Sequence, residues 1–173
     1  MKKQGVPVGR PGHPLKQGRC RPQRIEKMIL FVCVKLNEIH DQGRKFNWIK
    51  PHCCPRCGSA HLWGHGFVMA HFDGFAQGLF LRRFRCPDCA CIIRLRPQGF
   101  FRRFQTSVDV IRACLKLRLS SGKWLFGPSH QRQRHWLSAL KRKSLAFFGI
   151  CQDLMAGFDR LLKMDEIPIC RSI

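Results

Sequence analysis

Two short segments carry the residues best suited to chemistry. Cys54-Pro-Arg-Cys57-Gly and Cys86-Pro-Asp-Cys89 each hold two thiols two residues apart. A tight turn at that spacing brings both sulfurs to one tetrahedral ion, and two such pairs complete a four-thiolate site. A site closed by four protein ligands has no open position for water or substrate. Its metal, one Zn2+ by ligand type, is expected to be structural and to supply folding energy.

Twenty-eight residues separate Cys57 from Cys86. This is wider than the common fifteen to twenty, and a long β-hairpin absorbs the difference. Cys53, Cys91, His52, His61 and His65 lie near enough in sequence to stand in as ligands, an ambiguity the spacing leaves open. The chain has eleven cysteines, an odd number. Metal and buried thiols explain them better than disulfides do.

The elements that must position these thiols are legible in outline. Residues 1–24 are rich in Gly, Pro and basic side chains and read as a flexible basic arm. Residues 25–50 read as a lead-in with one buried strand or short helix around Met28 to Val34. A zinc ribbon is expected over residues 51–97. "LWGHGFVMAHF" and "GLFLRRFR" would form its hairpin, and "IIRLR" a third antiparallel strand.

Beyond Pro97 the pattern turns helical. Val108, Ile111, Leu115 and Leu119 recur at steps of three and four. A second helix starts after Ser129, an N-cap type, and buries Trp136, Leu137, Leu140, Ser144 and Phe148 before stopping at Gly149. Residues 105–148 therefore read as a helix-turn-helix-like unit. Residues 149–173 read as a short helical tail through Leu154, Phe158, Leu161 and Leu162. The fold class expected is α+β.

Lys and Arg number 32 against 10 Asp and Glu, a formal net charge of +22. Such an excess selects polyanionic partners, nucleic acid first. An anionic membrane is excluded as a span, because the longest apolar run, Met28 to Val34, is too short to cross a bilayer. The N-terminus lacks the apolar segment of a secretory signal, which points to the cytoplasm.

Arg82, Arg83, Arg85, Arg102 and Arg103 are candidates for phosphate contact. Gln131, Arg132, Arg134 and His135 begin the second helix, where a helix-turn-helix reads base edges, and Lys141 and Arg142 extend its basic surface. Few carboxylates remain after this region, only Asp153, Asp159, Asp165 and Glu166, so no two-metal nuclease site is expected and the chain reads as non-enzymatic. A rival reading is an RNA-binding or ribosome-associated ribbon, with Phe67, Phe80, Phe84, Phe100, Phe101 and Phe104 stacking on unpaired bases.

The order "CPRCG", "RFRCPDC", "FFRRFQTS" and "RHWL" resembles the zinc-ribbon and helix-turn-helix N-terminal regions of bacterial insertion-sequence transposases and their small stand-alone relatives. The resemblance covers about Pro51 to Lys143. It departs at Ala90 and Cys91, where relatives usually carry glycine and a basic residue. It implies recognition of double-stranded, transposon-related DNA near the nucleoid, with a second copy or a transposase as possible partner.

Overall fold

The computed structural model describes residues 27–149 and 153–170. The basic arm lies outside the described residues, apart from which the chain forms a four-stranded mixed sheet and four α-helices. This is an α+β fold.

The sheet comprises β1 (Lys27–Val32), β2 (Trp63–Ala70), β3 (Leu79–Arg85) and β4 (Ile92–Pro97), in the order β1-β4-β3-β2. β2, β3 and β4 are the antiparallel strands expected of a ribbon. Their Phe, Leu, Ile and Val content suits a pleated, half-buried surface. The lead-in segment supplies both alternatives read from its sequence. β1 adds to the same sheet, parallel to β4, and helix α1 (Leu36–Gln42) follows it. A parallel partner needs a long crossover, and the chain from residue 33 to 91 provides one.

α1 seats Ile39 in a core with Trp48, Leu62, Leu79, Leu81, Ile93 and Leu95. The helical half has its own core. α2 (Val108–Ser121) contributes Ile111 and Leu115, α3 (His130–Phe148) contributes Trp136 and Leu140, and α4 (Leu154–Lys163) contributes Phe158 and Leu161. The ends of these helices follow local chemistry. The hydroxyls of Ser107 and Ser129 accept from the amides of Val110 and Arg132, and the Asp153 carboxylate accepts from Met155 and Ala156. Leu119, placed on the buried face by its spacing, is instead 40% exposed, in the last turn of α2.

The two cores meet at a polar seam. Asp73, in the turn between β2 and β3, accepts from the Thr106 hydroxyl at 2.5 Å and from both terminal nitrogens of Arg132 at 3.2 and 3.1 Å. The Asp73 amide also donates to the Gln105 carbonyl. α2 and α3 are joined by residues 122–129, longer than the three or four residues of a regular helix-turn-helix turn. Buried Gln133 orders that connection, accepting from the Leu125 amide and donating to the carbonyls of Leu125 and Pro128.

Candidate metal centre and basic surface

Both knuckles repeat one backbone device. The Cys54 amide donates to the Ser59 carbonyl and the Cys86 amide to the Cys91 carbonyl, five residues on in each case. The residue after each second cysteine takes a left-handed conformation, Gly58 at φ 75° and Ala90 at φ 56°. One knuckle precedes β2 and the other joins β3 to β4, so the hairpin returns them to each other. Arg56 donates to the Cys89 carbonyl across the gap.

The Sγ atoms of Cys54, Cys57, Cys86 and Cys89 all lie within 4.8 Å of one another. Cys54 to Cys89 and Cys57 to Cys86 are each 3.6 Å. A disulfide needs about 2.05 Å. A regular tetrahedron with metal–sulfur bonds of about 2.3 Å has edges of about 3.8 Å, so the donor set fits one four-coordinate ion. Among the described residues this is the one group of His, Cys, Asp and Glu so arranged.

Charge explains why a cation belongs here. Burial opposes the Cys54 thiolate, yet the amides of Arg56 and Cys57 and the adjacent thiols bring its pKa down to about 7. The Ser59 amide favours the Cys57 thiolate, but local desolvation of this otherwise exposed residue and the other three sulfurs push that thiol up to about 12. Ionisation of Cys54 thus opposes that of Cys57 and Cys89, and a divalent ion would remove the conflict. Cys91 is buried behind the knuckle with its thiol raised by desolvation, and Cys53 is exposed; neither joins the group.

The basic candidates fall into three settings. Arg82 stacks on Phe67 at 4.8 Å, while Arg85, Arg102 and Arg103 are exposed and Arg83 is half-buried. On α3, Gln131, Arg134, Lys141 and Arg142 are exposed and His135 is half-buried, on the side away from buried Gln133, Trp136 and Leu140. Arg132 instead belongs to the seam with Asp73 and Thr106. Lys143, next to the exposed pair, is 3% exposed and bonded to Glu166 at 2.6 Å and to the Ile167 carbonyl. No spacing rule separated these two cations from the surface ones, because their partners lie 59 and 23 residues away.

Models of known families, curated proteins and solved structures gave no match to this chain.

Two features had no sequence signal assigned to them. Trp124, in the α2–α3 connection, stacks on His130 with ring centroids 6.1 Å apart, and Arg118 lies 4.1 Å over its ring. Phe126, beside it, is fully exposed. Of the phenylalanines considered for base stacking, Phe67 packs on Phe80 and Phe101 on Phe104, Phe100 packs on Phe72, and Phe84 is buried. Among the described residues no helix is long and apolar enough to cross a membrane.

Proposed function

We propose that this chain is a zinc-dependent, non-catalytic DNA-binding protein, related to the recognition regions of insertion-sequence transposases. The metal is structural: four thiolates complete its shell and leave no position at which it could activate water. The carrying observation is α3. Nineteen residues long, it would span about 28 Å, and it keeps Gln131, Arg134, Lys141 and Arg142 exposed on the side opposite its core contacts. A helix of that size fits the major groove, where Gln and Arg pair with adenine and guanine edges.

The carboxylates support a polyanionic partner. Glu38, Asp41, Asp73, Asp159 and Glu166 are each engaged by a basic side chain, and Asp153 caps α4. With a net charge of +22, most of the remaining cations have no acid to meet. The mutual packing of the phenylalanines favours duplex DNA over unpaired RNA, since a ring held edge-on by another ring offers less surface to a base.

The deciding experiment compares affinity of the zinc-loaded protein for random duplexes and for structured RNA across a salt series. A sequence preference among duplexes that survives high salt, and is lost in Arg134→Ala with the fold intact, is the expected result. Equal loss of binding to every polyanion as salt rises would reduce the reading to bulk charge. A preference for unpaired RNA would move the function to the sheet.

A further inference from the structure

The sheet carries a second, more deeply set group of arginines. Arg83 of β3 pairs directly with Arg94 of β4, and Arg85 with Ile92. Arg94 and Arg96 pair in turn with Ile29 and Phe31 of β1. Cross-strand partners share a face, as do alternate residues of one strand. Arg83, Arg85, Arg94 and Arg96 therefore occupy one face, and Arg82, stacked on Phe67, the other.

Like charges placed directly opposite each other in a sheet are destabilising. Nothing among the described residues neutralises these. The ion pairs among the described residues use Lys35, His40, Arg112, Arg132 and Lys143. Arg83 and Arg94 are half-buried and Arg96 is 4% exposed. The Nε atoms of all three are buried without a hydrogen-bond partner. Burial and the Arg83 charge hold Arg94 below its ordinary pKa, and burial with the Arg94 charge lowers Arg96 to about 10. Arg96, even so, remains a cation at neutral pH.

Arg96 is fixed from behind. Its Nη2 donates to the Phe104 carbonyl, and its guanidinium lies 4.9 Å from the Phe72 ring and 5.9 Å from the Phe100 ring. In front of it, Arg83 and Arg94 have no such support. On β2 the register shifts between Gly64 and Phe67, and Gly66 there has φ 71°. The Arg83 Nη2 lies beside this bulge, 3.9 Å from where a side chain at Gly66 would start, and the positive φ favours glycine there.

We propose that Arg83 and Arg94, backed by Arg96, form a seat for a phosphate ester, supplied by a nucleic-acid backbone. Two adjacent guanidinium forks match the oxygens of a phosphate bidentately, and an anion at their terminal nitrogens relieves the repulsion between the two strands. The backbone as source rests on the nucleic-acid reading above; the seat itself rests on the arginines. It would place the strand face and α3 on one ligand, with the sheet gripping and the helix reading.

Inorganic phosphate is the first probe. Thermal unfolding of the zinc-loaded protein in phosphate is compared with chloride at equal ionic strength, for wild type, Arg94→Gln and Arg83→Gln. Phosphate is expected to raise the wild-type Tm and to leave both variants unmoved. In chloride the variants should be at least as stable as wild type, because a repulsion has been removed; a variant that melts early in both salts would instead show that the arginines are structural.

Duplex DNA is the second probe. Each variant should lower the salt slope of binding by about 1, uniformly across sequences. An unchanged wild-type Tm in phosphate together with an unchanged slope would overturn the seat, whatever the DNA affinity. A phosphate shift in a protein that binds no DNA would support the seat and overturn the backbone as its source.

Discussion

The sheet half and the helical half of this chain are stabilised by different means. In the helical half, Ile111, Leu115, Trp136, Leu140, Phe158, Leu161 and Ile169 are all nearly or fully inaccessible and meet in one core. In the sheet half, strand positions that could carry apolar side chains hold Arg82, Arg83, Arg85, Arg94 and Arg96. Those residues give the sheet a basic surface and reduce the apolar area it can bury. The four-cysteine cluster lies in that same half, where a bound metal would offset the deficit with binding energy that becomes folding energy.

The largest effect should come from breaking the cluster. Cys57 is exposed, so Cys57→Ser removes almost no packing and isolates the metal's contribution. Hydrogen exchange should show the β3 and β4 amides losing protection in this variant, and equally in chelator-treated wild type, while the amides around Leu140 stay protected. A sheet that kept its protection without metal would mean that its apolar core alone suffices.

The converse change is Leu140→Ala, at a fully buried position of α3. A cost of about 2–5 kcal/mol is expected, from lost transfer energy and the cavity left behind. Denaturant unfolding of the zinc-loaded protein measures it. The cysteine spectrum of a cobalt-substituted sample should persist through the helical transition if the halves unfold separately, and vanish with it if they are one cooperative unit.

The seam decides how far the two halves act together. Asp73→Asn keeps the shape of the side chain and removes the charge that meets Arg132 and Thr106. Because both ion-pair partners are more than a third exposed, the loss should be about 1 kcal/mol. Its sharper signature is a wider gap between the unfolding midpoints of sheet and helices.

How much of this was written in the sequence depends on the range of the interaction. The hairpin, the third strand, the three C-terminal helices and the cap at Ser129 rest on local signals of periodicity and polarity, and the structure has them where those signals stand. The four clustered thiols follow from spacing within each knuckle plus one hairpin. What local pattern could not give was pairing at a distance. The parallel docking of β1 on β4 joins segments more than sixty residues apart. The recruitment of Arg132 by Asp73 and of Lys143 by Glu166 likewise depends on the assembled cores. In the text of the chain these two cations look the same as their exposed neighbours Arg134, Lys141 and Arg142.

The smallest predicted effect lies inside the metal centre and runs in the stabilising direction. The two knuckles share the amide-to-carbonyl bond that closes each turn, yet Gly58 occupies the left-handed position in one and Ala90 in the other. A Cβ at φ 56° crowds the following carbonyl, whereas glycine takes that conformation without penalty. Part of the gain is returned as extra freedom of glycine in the unfolded chain. Ala90→Gly should therefore stabilise the zinc-loaded protein by about 0.5–1 kcal/mol and slow metal release to a chelator. Gly58→Ala should do the reverse, since open space around Gly58 leaves backbone strain as the only cost. If both substitutions left the release rate unchanged, the backbone turns would not be what holds the sulfurs in place, and the metal itself would be shaping the knuckles.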